Sequence, residues 1–252
     1  PLKAINRVRL VRRADGYYAQ FSVRAERQRE HVPSGRQRGI DVGLQSFLTD
    51  SDGNTVENPR FYRKAEKKLK RLQRQLSGKQ KKSANRKKAC KQVAKAHLKV
   101  ARQREDFARK TANALITSSD LIAYEDLKIR HRVRNRKLAK SIHDAGWGIF
   151  LRWVNYYGAL HAIPVRAVAP HFTSQACSDC GTIGKKSLSV RTHVCTGCGV
   201  VLDRDHNAAL NILAKALEGT LGHRETSGSP ENASGQTAST HRPKRATGKR
   251  AG

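Results

Sequence analysis

Four cysteines stand in two matched pairs, Cys177 with Cys180 and Cys195 with Cys198. Each pair has two residues between its members, and 14 residues separate the pairs. Both pairs end in Cys-Gly, within "CSDCG" and "CTGCG". Glycine tolerates the positive φ that turns backbone amides toward thiolates. Four thiolates at this spacing match a closed, tetrahedral structural site for Zn²⁺. An iron site or a redox thiol pair are the other uses of such cysteines, and neither explains two matched knuckles. This arithmetic fits a reducing compartment rather than a disulfide framework. The fifth cysteine, Cys90, reads as a core thiol of a helix.

Three carboxylates form the second chemical signal. Asp41 lies in "GIDVG", Glu125 ends "LIAYE" and Asp205 opens "DRDHNAA" just after the second knuckle. Apolar neighbours imply that Asp41 and Glu125 sit at strand ends, where a fold can bring them together. Converging carboxylates hold Mg²⁺ or Mn²⁺ for phosphodiester cleavage. Each residue also has a plain structural use. Asp205 can serve a helix dipole, Glu125 can be a surface charge and Asp41 can hold a turn.

These acids stand out because the chain is strongly basic. Its 252 residues carry 51 Lys and Arg against 20 Asp and Glu, a net charge of +31. That imbalance points to a polyanionic partner, nucleic acid above all. No long apolar segment or lipidation signal accompanies it, which argues against a membrane partner. The start shows no signal peptide pattern. It opens on Pro1 and the sequence has no Met, so truncation at the N-terminus is expected.

Several elements must position these groups. "AINRVRLVRR" and "YYAQFSV" alternate around "ADG", which predicts a hairpin over residues 2–23. Residues 24–37 read as a linker. A strand carrying Asp41 and the turn signal "DSDGN" predict a second hairpin. Over residues 60–117, apolar spacings of three and four predict two antiparallel helices. Between Arg60 and Lys110, 21 residues are Lys or Arg and 3 are acidic, a phosphate-facing pattern. "DLIAYEDL" reads as a buried strand, and "IRHRVRNRKLAKSIHDAG" as basic and loop-rich. A helix from Trp147 to His161, the strand "AIPVRAVAP" and a last helix opening at "DRDHNAA" follow. The polar stretch from Glu218 onward is expected to be disordered.

Taken together, "GIDVGL", "YEDL", "NRKLAKSIHDAGWG", "TSQACSDCG" and "CTGCGVVLDRDHNAALNIL" strongly resemble the TnpB family. These are the OrfB-type proteins of insertion sequences, relatives of the type V CRISPR effector nucleases. The resemblance runs from about Leu2 to Leu217. It implies an α/β protein: a RuvC-like nuclease domain of RNase H fold, with an inserted basic helical hairpin and a four-cysteine zinc ribbon. The implied division is 1–36 as a wedge remnant and linker and 37–170 as nuclease core with its helical insert. The ribbon then covers 171–202, the last helix 203–217 and a basic tail 218–252.

By motif, Asp41, Glu125 and Asp205 correspond to the catalytic acids, and Asp203 to a variable position. The implied cofactors are structural Zn²⁺ and catalytic Mg²⁺ or Mn²⁺. The implied partners are DNA and a guide RNA derived from the mobile element, in the cytoplasm of a bacterial or archaeal host, at the nucleoid. Against the family's usual extent, most of the wedge and a helical recognition lobe are missing. Besides RNA-guided cleavage, two readings stay open: a zinc-stabilised binding module without catalysis, and a transposase joining DNA strands. Trp147 and Tyr156 are candidates for base stacking, with burial in the core the weightier expectation.

Overall fold

The computed structural model describes residues 5–25, 29–184 and 190–221. A two-stranded antiparallel hairpin comes first, β1 (Ile5–Arg12) and β2 (Tyr17–Val23). A five-stranded mixed sheet follows. Its antiparallel part is β3 (Gln37–Val42), β4 (Ser46–Asp50) and β5 (Thr55–Glu57). Two strands extend it in parallel, β6 (Leu121–Glu125) and β7 (Val165–Val168), giving the order β5-β4-β3-β6-β7. The expected second hairpin is therefore one part of a three-stranded meander.

Helices cover both faces of this sheet. Between β5 and β6 stand α1 (Phe61–Ser77) and α2 (Ala84–Thr117), and α2, at 34 residues, is about 50 Å long. Between β6 and β7 lie α3 (Ile129–Arg132), α4 (Arg136–Ala145) and α5 (Trp147–Leu160). A small antiparallel pair, β8 (Thr192–Val194) and β9 (Val201–Asp203), leads into α6 (Arg204–Leu221). Ile40, Val42, Phe47 and Ile122 pack against α2 and α5, with Phe47 and Phe150 fully enclosed. Leu121, Ala123 and Val168 pack against Ile212 and Ala216 of α6 on the other face.

Gly39 explains how closely α6 approaches β3. A Cβ at Gly39 would stand 2.1 Å from the Ala209 carbonyl oxygen and 2.7 Å from the Leu213 nitrogen. No side chain fits between the strand and the helix backbone.

Several sequence expectations change. The stretch "IRHRVRNRKLAKSIHDAG" is mostly helical, as α3 and α4. Its basic residues hid a short apolar face, of which Ile142 and Ala145 are buried. Asp144 belongs to the same face. It is buried and accepts hydrogen bonds from the Tyr62 and Arg63 amides at 2.7 and 3.0 Å. It thus caps α1, whose own preceding residue, Arg60, offers no side-chain cap. Cys90 is exposed, so it is not a core thiol. Near the start of α2 the buried residue is its neighbour Ala89, whereas Val100, Ala108 and Leu115 are buried farther along, as the periodicity predicts.

The linker is anchored. Asp120 accepts from the Ser34 and Gly35 amides and pairs with His31 at 2.7 Å, contacts that hold its carboxyl well below the usual range. The last helix continues through Glu218 to Leu221; the rest of the expected tail, residues 2–4 of the expected hairpin, 26–28 of the expected linker and 185–189 of the expected ribbon lie outside the described residues. No helix among the described residues is long and apolar enough to cross a membrane.

Candidate active site

Strand alternation assembles the carboxylates. In β6, Leu121 and Ala123 face α6 while Ile122 faces away, so Glu125 falls on the α6 side. In β3, Ile40 and Val42 face away, which leaves Gly39 and Asp41 on the α6 side. β3 and β6 are parallel with Ile40 beside Tyr124. One residue further along this register, Asp41 comes beside Glu125 at the carboxyl ends of both strands.

α6 supplies the third acid. Asp203 precedes this helix, and its Oδ1 accepts from the Asp205 and His206 amides at 2.8 and 3.2 Å. Asp203 is therefore the N-cap, and Asp205 is released from that duty. Asp205 Oδ2 lies 3.7 Å from where a Cβ on Gly43 would be, just beyond Asp41. The fold thus brings Asp41, Glu125 and Asp205 to the carboxyl ends of the two central strands.

Basic and polar side chains surround them. Thr173 donates to Glu125 Oε1 at 2.5 Å, and Arg132 approaches Oε2 at 3.8 Å. Arg191 reaches Asp205 Oδ1 at 3.4 Å and donates to Gln45 at 2.6 Å. Burial, then the charges of Asp205 and Glu125, push the Asp41 carboxyl up to about 8, against the pull of Arg132 and Arg204. Burial also raises Asp205, opposed by Arg191 and Arg204, with Asp203 adding to the rise. Thr173, Arg132 and Arg191 escaped the sequence reading; Thr173 lies 48 residues from the acid it touches, and nothing local marks Arg132 or Arg191 among the many basic residues around them.

Trp147 is buried rather than available for stacking, and its Nε1 donates to the Gly43 carbonyl at 3.2 Å. It braces the turn that follows Asp41. Tyr156 is exposed beside Trp153 and Tyr157.

The four cysteine sulfurs all lie within 4.8 Å of one another, a donor set that fits one metal ion. They are the one such group of three or more among the described residues; the three carboxylates make no comparably tight set. The knuckle turns follow the sequence logic: Gly181 and Gly199 both have positive φ, at 75° and 77°. The Cys198 and Gly197 amides bring Cys195 down to about 6, the favourable direction for a thiolate ligand. Asn207, fully buried, accepts from the Ser178 amide and donates to the Ala176 carbonyl at 2.8 Å. It ties the first knuckle to the helix that bears Asp205.

The match to known proteins follows the same two segments. The OrfB_IS605 family model, described as "Probable transposase", matches residues 20–136, and the Cas12f1-like TNB domain model matches 147–212. The chain belongs to the OrfB, or TnpB-like, family. Among its relatives, a Streptomyces pristinaespiralis protein described as "Putative RNA-guided DNA endonuclease" is 37% identical over 217 residues, covering 83% of this chain and 52% of the relative. InsQ of Escherichia coli K12, described in the same words, is 33% identical over 214 residues, covering 79% and 53%. This OrfB-family chain thus spans about half the length of the relatives it matches. Its fold is similar to that of the mini-RNA-guided endonuclease CRISPR-Cas_phi3, with a TM-score of 0.50 over 81% of this chain and 50% of that one, at 14% identity.

Proposed function

We infer that this chain carries the nuclease centre of an RNA-guided, metal-dependent DNA endonuclease. The mixed sheet, antiparallel through β5-β4-β3 and parallel through β6 and β7, is then a RuvC-like core of RNase H fold. The division into wedge remnant, core with helical insert, ribbon and last helix belongs to the same reading.

One observation carries it. Three acids from β3, β6 and α6 come together at the carboxyl ends of β3 and β6 in a protein of net charge +31, and burial together with their mutual repulsion pushes Asp41 up to about 8. Clustering like charges at a cost of stability is a mark of function. Ionised carboxylates are the hard oxygen donors that Mg²⁺ and Mn²⁺ prefer. Asp41, Glu125 and Asp205 would hold these ions, which when bound supply Lewis acidity at a scissile phosphate. Thr173 fixes one oxygen of Glu125. Arg132 and Arg191 flank the acids and offer cations to the backbone of an incoming strand.

Cys177, Cys180, Cys195 and Cys198 hold Zn²⁺ in this reading. β9 runs from the second knuckle directly into Asp203, so the folded ribbon sets where Asp205 begins. DNA is the substrate, and pairing with a guide RNA reads its sequence while the protein grips duplex shape. The charge of +31 and the four-cysteine cluster also fit a second reading, a zinc-stabilised nucleic-acid-binding module without catalysis. The transposase reading requires strand joining in a purified reaction.

The test is cleavage of labelled single-stranded DNA by the chain and its co-purifying RNA, with and without Mg²⁺, beside Asp41→Ala. Cleavage requiring both Mg²⁺ and Asp41 is expected. Cleavage that survives Asp41→Ala overturns the assignment, and binding without cleavage supports the second reading.

A further inference from the structure

Tyr156, a stacking candidate by sequence, lies far from the acids. Trp147, at the start of α5, braces the turn after Asp41. Leu160 ends α5, 13 residues on and about 20 Å along the helix. β7 then begins at Val165, which pairs with Ile122 near the start of β6. The last turns of α5 therefore stand toward the amino ends of the parallel strands, on the sheet face opposite α6.

Between these turns, α2 and Arg29 lies a cavity of about 420 Å³. That volume is usual for a small-ligand site, about 300–1,000 Å³. One wall is aromatic. Tyr156 is 47% exposed, and its ring stands 5.3 Å from those of Trp153 and Tyr157. Trp153 and Tyr157 stack on each other at 5.5 Å. Trp153 Nε1 donates to Glu105 at 2.6 Å, and Arg109 lies over its ring at 4.9 Å. These contacts fix the indole and leave Tyr156 as the exposed ring. The remaining wall is cationic. Asp106 neutralises Lys110 at 2.8 Å, whereas Arg29 and Arg109 make no ion pair among the described residues. Glu105, one turn before Arg109 on α2, is engaged by Trp153 and Arg152 instead. The Arg29 amide donates to the Leu160 carbonyl at 3.3 Å, which holds the linker against the cavity. Asn113, half-buried one turn beyond Arg109, adds an amide that both donates and accepts.

An aromatic wall alone suits many apolar ligands, and two unpaired guanidiniums alone suit any anion. Together in one cavity they select a ligand that joins a flat π-face to a phosphate. An acidic peptide lacks the flat face, and a duplex keeps its bases paired and stacked away from the ring. We propose that this cavity binds a nucleoside phosphate, with its base on Tyr156, its base edge against Asn113 and its phosphate between Arg29 and Arg109. Two sources share this chemistry, a free nucleotide and an unpaired nucleotide turned out of a strand. The site stands apart from Asp41, Glu125 and Asp205 and does not rest on the nuclease reading.

Equilibrium dialysis of the zinc-loaded chain against radiolabelled AMP measures the site directly, at physiological salt. AMP should bind roughly fivefold or more tightly than adenosine or ribose 5-phosphate, because base and phosphate each contribute. Tyr156→Ala should weaken AMP roughly fivefold or more and leave ribose 5-phosphate unchanged, and Tyr156→Phe should retain AMP. Arg29→Gln should weaken AMP by a similar factor, roughly fivefold, and leave adenosine unchanged. Lys99→Gln, on α2 outside this cavity, should leave AMP within about twofold. In a chain of net charge +31, that control separates the site from a general attraction for anions. An unlabelled single strand that displaces AMP assigns the nucleotide to a strand, and one that binds without displacing it assigns a free nucleotide. AMP binding no tighter than ribose 5-phosphate, equal losses in Arg29→Gln and Lys99→Gln, or no AMP bound at about 1 mM would each overturn the proposal. None of these readouts requires cleavage, so failure of the nuclease reading shows separately, in the Asp41→Ala assay.

Discussion

Asp41→Asn should make the protein more stable while it removes the proposed activity. The Asp41 carboxyl sits at about 8 in the folded protein, against an ordinary value of 3.8. An acid whose folded value is raised binds its proton more tightly when folded. Its contribution is most favourable below 3.8, and it is lost progressively as pH rises toward 8. At pH 7 the difference amounts to at most about 4 kcal/mol, at 1.36 kcal/mol per unit. Solvent reaching this edge of the sheet reduces it to about 2–4 kcal/mol. An asparagine keeps the shape and removes the charge.

Urea unfolding of the zinc-loaded protein without Mg²⁺, at pH 6 and pH 8, measures the effect directly. The variant should gain stability over the parent, and gain more at pH 8. In a thermal scan the gain corresponds to about 5–10 °C for a chain of this size. Added Mg²⁺ should stabilise the parent at pH 8 and leave the variant unchanged, because a ligand stabilises only the state that binds it. A variant no more stable than the parent at pH 8 would refute the claim that Asp41 is held against the repulsion of Asp205 and Glu125.

Three further outcomes follow from the geometry. Asp203→Ala should cost about 1 kcal/mol of stability through the lost cap, whereas Asp205→Ala should abolish cleavage and relieve repulsion; urea melts and cleavage assays on both separate cap from site. Cys195→Ser should lower the zinc content from about one ion per chain toward none, with loss of cleavage, measured by elemental analysis beside activity. Gly39→Ala should cost about 1–3 kcal/mol or more, because its Cβ meets the Ala209 carbonyl at 2.1 Å and α6 must move, carrying Asp205 with it. A Gly39→Ala protein with parental stability and full activity would contradict the packing described.

Much of the candidate site was legible in the chain. Cysteine spacing marked the knuckles, and the glycines after them marked their turns, because positive φ is a local requirement. The apolar runs around Asp41 and Glu125 marked strand ends, since alternation is a property of a single strand. Helix periodicity located α1, α2, α5 and α6. It misplaced the face of α2 near Cys90, where Ala, Lys and Cys give little contrast, and it missed α4 among its basic residues.

The tertiary structure decided what local pattern cannot encode. Strand order set β6 beside β3, and that register, across some 80 residues of chain, places Glu125 next to Asp41. Only the start of α6 showed that Asp203 makes the cap and frees Asp205. Asp144 capping α1, Trp147 bracing Gly43 and Arg102 clasping the hairpin all join residues remote in sequence. The sequence by itself determined which chemical groups exist and which short elements carry them, because propensity, period and turn chemistry act over a few residues. Which acids meet, and at what cost in charge repulsion, was decided by long-range packing, because burial and field depend on neighbours that the chain brings together only once folded.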